Sequence, residues 1–118
     1  MINIDYFRQT RILDGGMGQE LLARGMKPNS TLWSANAILD ENYHQLVLDT
    51  HTDFLKAGAE IIVTTTFATR HRRLKENNLL DKFEYLNQKA GEIAQLAKKK
   101  FPNTFVAGGI PPQNSTYE

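Results

Sequence analysis

Apolar residues in this chain alternate between short continuous runs and a spacing of three to four, and the changes of rhythm divide it into elements. Ile12-Leu13 predicts a strand over about 11–13. Residues 19–24 read as a helix stopped by Gly25, and 25–31, with Pro28, Asn29 and Ser30, as a loop. Asp40 predicts the N-cap of a helix running to Ala57, with Tyr43, Leu46, Val47, Thr50, Phe54 and Ala57 on its buried face and Gly58 as its stop. The run 61–67 is β-branched almost throughout and predicts a strand buried on both faces. A second long helix is expected over 79–101, burying Leu79, Phe83, Leu86, Ala90, Ile93 and Ala97 and ending at Pro102. Residues 104–107 predict a third strand. Strands alternating with helices imply βαβ units and a parallel sheet.

In a parallel sheet the C-terminal ends of all strands lie on one edge, where α/β folds build their sites. Three ends should meet there: Asp14-Gly15-Gly16, Thr64 to Phe67, and Gly108-Gly109. Asp14 and its glycines suit either a ligand-binding loop or a tight strand-to-helix turn, since Asp and Gly are favoured in turns for local reasons. They are not a dinucleotide fingerprint, because Gly16-x-Gly18 lacks the third glycine and no acidic residue closes a second strand. Thr64 and Thr66 should face one side of their strand and Thr65 the other. Such hydroxyls can orient a polar substrate or simply mark a good strand former. Trp33 and Phe67 suit either a pocket wall or a plug at the core edge.

Composition narrows the class. The 118 residues suffice for one domain with a modest core, and 41% apolar with 23% charged residues is ordinary for a globular chain. A net charge of +1 gives no field that would draw the chain to nucleic acid or to an anionic membrane. No apolar run approaches membrane-spanning length, and the N-terminus lacks the basic start and apolar core of a signal peptide, so a cytoplasmic location is expected. The Asn-x-Ser/Thr matches at Asn29 and Asn114 then read as chance. His44 and His51, seven apart, cannot chelate a metal as an i, i+4 pair does, and the three histidines are expected at the surface. The basic runs 70–73 and 98–100 read as solvated helix faces. There is no cysteine, which excludes disulfides, thiol nucleophiles and thiolate metal sites within this chain.

Five motifs in order resemble the homocysteine S-methyltransferase family. They are Ile12-Leu13-Asp14-Gly15-Gly16-Met17-Gly18-Gln19-Glu20-Leu21, Leu32-Trp33-Ser34-Ala35, the run 51–62 (His51-Thr52-Asp53 to Glu60-Ile61-Ile62), Thr64-Thr65-Thr66-Phe67, and Val106-Ala107-Gly108-Gly109-Ile110-Pro111. Departures are Gln19 where threonine is usual, Thr65 in place of a commoner asparagine, and Gly109-Ile110-Pro111 in place of Ser-Ile-Gly. The resemblance implies an α/β fold, the first three βα units of a TIM (β/α)8 barrel with parallel strands, the barrel being incomplete in this chain. It implies methyl transfer from a donor to the thiol of homocysteine, giving methionine. It also implies zinc held by three cysteines late in the barrel, where the metal would bind the substrate sulfur as a thiolate. Asp14 would hold the amino group of the amino acid, with Gly15 and Gly16 allowing close backbone approach. Thr64, Thr66 and Phe67 would line the substrate cavity and Trp33 would wall it. No catalytic or metal-ligating residue carries over.

The expectation is therefore one partial domain over 1–118, the N-terminal portion of such a barrel, holding part of the amino-acid pocket without the zinc site and inactive alone. Its partners would be homocysteine and a methyl donor, with no nucleic acid and no membrane. Open sheet edges would favour self-association or a covering partner. The rival expectations are a non-catalytic binding or assembly module derived from the barrel and a small independent α/β domain binding an anion at its glycine loops.

Overall fold

The computed structural model describes residues 2–112, so the Asn114 match lies outside the described residues. A 3₁₀ turn at Ile4–Arg8 precedes α1 (Met17–Ala23). A 3₁₀ turn at Trp33–Ala35 runs into the short α2 (Asn36–Leu39), and another at Glu41–Tyr43 into α3 (His44–Lys56). Then come β1 (Ile61–Val63), α4 (His71–Glu76), α5 (Phe83–Lys98) and β2 (Phe105–Ala107).

Helix limits follow local chemistry. Asp40 accepts the Asn42 N–H at 3.0 Å and so caps the turn that starts α3, as the sequence predicts. Gly25 and Gly58, at φ +106° and +112°, take the left-handed conformation just beyond α1 and α3, where a Cβ would be strained. The 83–98 helix is shorter than the expected 79–101 because Leu80–Lys82 form a 3₁₀ turn. Two helices, α2 and α4, are too short to show a helical period, and the spacing of apolar residues did not announce them.

The sheet has two parallel strands, with Ile61 opposite Phe105, Ile62 opposite Val106 and Val63 opposite Ala107. The architecture is α/β, but three full strands do not form among the described residues. The expected first strand, 11–13, is reduced to a single parallel bridge between Leu13 and Ile61. The cause lies at Glu60, whose carboxylate accepts the Ile12 N–H at 2.8 Å and takes the place of a ladder carbonyl. The Ile12 carbonyl in turn accepts from both Glu60 N–H and Ile61 N–H. The expected second strand stops at Val63 rather than at Phe67. Beyond it, Thr66 N–H turns back to the Thr64 carbonyl at 2.8 Å, and the two threonine hydroxyls lie 3.0 Å apart. Short hydroxyl side chains here compete with the ladder.

Helices α3 and α5 pack on one another and on the sheet. Leu55, Ala59, Ile62, Ala94 and Ala97 form the layer beneath the strands, joined by Phe54, Phe101 and Val106. A second cluster around Leu21, Ile38, Val47, Leu74 and Leu86 ties α1, α2, α3, α4 and α5 together. His51 corrects the expectation of surface histidines: it is fully buried, and both ring nitrogens lack a hydrogen-bond partner among the described residues. His44 is half-buried, with Nε2 2.6 Å from the Ile38 carbonyl. No described helix is long and apolar enough to cross a membrane.

Candidate functional site

The three expected strand ends do meet. Asp14 N–H donates to the Ile61 carbonyl at 3.1 Å, and the Asp14 carboxylate accepts the Val63 N–H at 2.9 Å, which fixes the acid against the end of β1. Thr64 N–H donates to the Ala107 carbonyl at 2.9 Å, and Thr66 Oγ1 donates to the Gly109 carbonyl at 3.2 Å. Burial pushes the Asp14 carboxyl above its ordinary value, an effect only partly offset by the backbone N–H groups of Val63 and of Asp14 itself. A cation arriving beside it would regain the lost solvation and favour the charged form.

Above this edge lies a cavity of about 540 Å³. Asp14, Gly15, Gly16, Trp33, Thr64 and Phe67 line it, whereas Thr66 does not: its hydroxyl is held between Thr64 and Gly109. Apolar lining comes from Met17, Leu22, Met26, Pro28 and Val63, and polar lining from Gln19, Asn29, Ser30, Ser34 and Thr65. A mostly apolar pocket with a few placed polar groups is the form that small-molecule sites take.

The two glycines that follow Asp14 in the cavity lining differ in what surrounds them. A Cβ on Gly15 would stand 3.0 Å from the Phe54 ring, so Gly15 is required by packing against α3. A Cβ on Gly16 would meet nothing within 4 Å, which leaves that backbone open to a ligand.

The loop carrying Trp33 is built by Asn29. Its side-chain oxygen accepts the N–H groups of Thr31 and Leu32 at 3.1 and 2.8 Å, and its carbonyl accepts the Trp33 N–H at 2.9 Å. This places Trp33 at φ +50°, a conformation a bulky residue adopts only when its surroundings enforce it. The indole N–H donates to the Ser30 carbonyl at 3.0 Å.

The basic run at 70–73 is not the solvated face that the sequence suggested. His71 and Arg72 are exposed, but Arg70 is buried and Arg73 half-buried. Arg73 lies 4.6 Å over the Trp33 ring and donates to the Thr31 carbonyl at 2.7 Å, while Arg70 lies 5.9 Å from the Phe67 ring and donates to the Pro112 carbonyl at 3.0 Å. The sequence signal that could have located them is two arginines three apart, shortly after the strand end expected at Phe67.

The chain has no cysteine. Among the described residues no group of three or more His, Cys, Asp and Glu is placed to hold a metal ion. The residues present therefore do not fit a zinc centre of the implied kind.

Comparison with known proteins matches a family model described as homocysteine S-methyltransferase over residues 11–118. A relative named homocysteine S-methyltransferase 2 from Saccharomyces cerevisiae is 30% identical over 99 residues, which is 77% of this chain and 30% of that protein. A homocysteine S-methyltransferase 2 from Zea mays is 33% identical over 104 residues, covering 87% of this chain and again 30% of the relative. In structure, the chain is similar to the homocysteine methyltransferase MmuM from Escherichia coli in its metallated form, with TM-score 0.75 and 29% identity over 89% of this chain and 39% of that one. The chain thus spans about a third of the length of the proteins it matches.

Proposed function

The chain belongs to the homocysteine S-methyltransferase family, and on that premise we propose that its cavity is the amino-acid pocket of a protein that transfers a methyl group from a donor to the homocysteine thiol, giving methionine. The two paired strands, the bridge at Leu13 and their helices are read as the opening part of a (β/α)8 barrel. Asp14 carries the reading: a carboxylate fixed by the Val63 N–H on the cavity wall, short of solvent and suited to a substrate ammonium group. Gly16 leaves room for the substrate's main-chain atoms, and Thr64 and Thr65 add polar lining to the same cavity. Trp33 and Phe67 supply aromatic walls that exclude water from an apolar methylene chain. Thr66 acts by holding the Gly109 loop.

These are binding roles. The group that activates the thiol is not among this chain's residues, so the chain binds the amino acid and does not turn it over alone. Calorimetric titration with L-homocysteine tests this. Saturable binding that weakens at least about tenfold in Asp14→Asn is expected, the loss of one charge-assisted contact. Equal binding by the variant would overturn the assignment. Methyl transfer by this chain alone, with betaine or S-methylmethionine as donor, would overturn the division of labour.

A further inference from the structure

Arg70 and Arg73 are the most unusual charged groups in the molecule. Arg70 is only 7% exposed. Each guanidinium donates to one neutral backbone carbonyl, of Pro112 and of Thr31. The Nε–H of each is buried without an acceptor, and neither side chain is in an ion pair among the described residues. The acid on the same short helix, Glu76, is engaged by Arg72 at 3.0 Å. A guanidinium carries five N–H donors and keeps its charge when buried, so a desolvated one without a counter-ion is costly. Here two share one neighbourhood. Burial, and then the charge of Arg70, make Arg73 a weaker base than usual, and the charge of Glu76 offsets this only in part, so the two cations act on each other.

Their placement says what kind of anion would relieve this. Arg73 lies over Trp33 and Arg70 beside Phe67, and both of those residues line the cavity of about 540 Å³. Neither arginine is itself in the cavity lining, so an anion on the two guanidiniums would sit beside the Trp33 and Phe67 rings, next to a pocket of small-molecule size. We propose that Arg70 and Arg73 together form an anion-binding site that takes the carboxylate of a small molecule lodged against the Trp33 and Phe67 walls. The geometry suits a planar carboxylate, whose two oxygens can accept from one guanidinium edge or bridge two. The amino-acid substrate and a donor such as betaine both carry that group. The site stands on the cavity and the arginines, not on which group is transferred.

Trp33 is the only tryptophan, so its emission reports directly on the guanidinium stacked over it. Acetate, L-homocysteine and betaine are titrated separately into the chain, with sodium chloride at matched ionic strength. A saturable change in emission is expected with acetate and not with chloride. The apparent Kd should weaken at least about tenfold in Arg73→Gln and in Arg70→Gln, and less in Arg73→Lys, which keeps the charge. Whichever of homocysteine and betaine competes with acetate identifies the source of the carboxylate. A response that merely follows ionic strength, or that persists unchanged in the glutamine variants, overturns the site.

If the variants fail to fold, the unmodified chain still decides. Phenylglyoxal modification of Arg70 and Arg73 is followed by peptide mass spectrometry against the exposed Arg8. Acetate should slow Arg70 and Arg73 at least threefold relative to Arg8, and equal slowing overturns the proposal. Slowing that depends on protein concentration and not on acetate would assign the missing counter-ion to a second chain, which also overturns it.

Discussion

Replacing His51 by leucine should abolish much of the loss of stability that the protein suffers in acid. His51 sits on α3, which packs against α1, α5 and β1, and its ring is fully buried with neither nitrogen hydrogen-bonded among the described residues. Burial pushes its proton affinity down from 6.5 to about 4. Above pH 6.5 both folded and unfolded chains hold a neutral ring, and the residue adds no pH dependence. Between 6.5 and 4 the unfolded chain takes a proton that the fold refuses, so stability falls by about 1.4 kcal/mol per pH unit. Below about 4 both states are protonated and the loss stops. Over the whole window it amounts to about 3 kcal/mol, against a typical domain stability of about 5–15 kcal/mol. Asp14 acts in the opposite direction, because a carboxyl held above its ordinary value favours the fold as pH falls. The informative quantity is therefore the difference between the wild-type chain and His51→Leu, measured by urea unfolding from pH 7.5 to 4. The gap should widen in favour of the leucine variant as pH falls from 6.5. Parallel curves would refute the reasoning.

Other outcomes follow from single contacts. Gly15→Ala should cost about 1–3 kcal/mol by pressing on the Phe54 ring, with Phe54→Leu recovering part of it in a double-mutant cycle; Gly16→Ala should leave thermal stability nearly unchanged while weakening ligand binding in the cavity. Leu86→Ala removes a fully buried side chain from the helical cluster and should cost about 2–5 kcal/mol in denaturant unfolding. Glu60→Ala should strip hydrogen-exchange protection from the Ile12 amide without altering that of Val63, and an unchanged Ile12 rate would contradict the diverted ladder. Exposed Ile12, Leu13 and Ile110 around the sheet should drive concentration-dependent association in light scattering, and a monodisperse monomer at high concentration would refute that.

What the sequence revealed was decided by how local each signal is. The helix over 44–56 was legible because Val47 and Thr50 repeat on a buried face and Asp40 and Gly58 mark its ends. The convergence of Asp14, Thr64 and Gly109 was legible from topology alone, since parallel strands put their ends together. Side-chain substitution into the backbone was not legible. Nothing in the order of residues indicates that Glu60 will take the Ile12 N–H, or that Thr64 and Thr66 will close on each other instead of extending a strand. Thr66 was expected in the cavity lining from the family resemblance, and its pairing with Thr64 and Gly109 is what keeps its hydroxyl elsewhere. The arginines at 70 and 73 were hidden by composition: in a chain of nearly balanced charge a basic run reads as surface, and only packing against Trp33 and Phe67 shows otherwise.

The clasp between the threonine loop and Gly109 also bears on when the pocket comes into being. β2 lines no part of the cavity, yet Thr64 and Thr66 are pinned to Ala107 and Gly109 at its end. A chain emerging from the ribosome exposes Asp14, Trp33 and Phe67 well before Ala107 and Gly109 arrive. The wall at 64–67 takes its final shape only when β2 has docked. Affinity for a ligand thus appears abruptly, at the moment the growing polypeptide docks β2 beside β1.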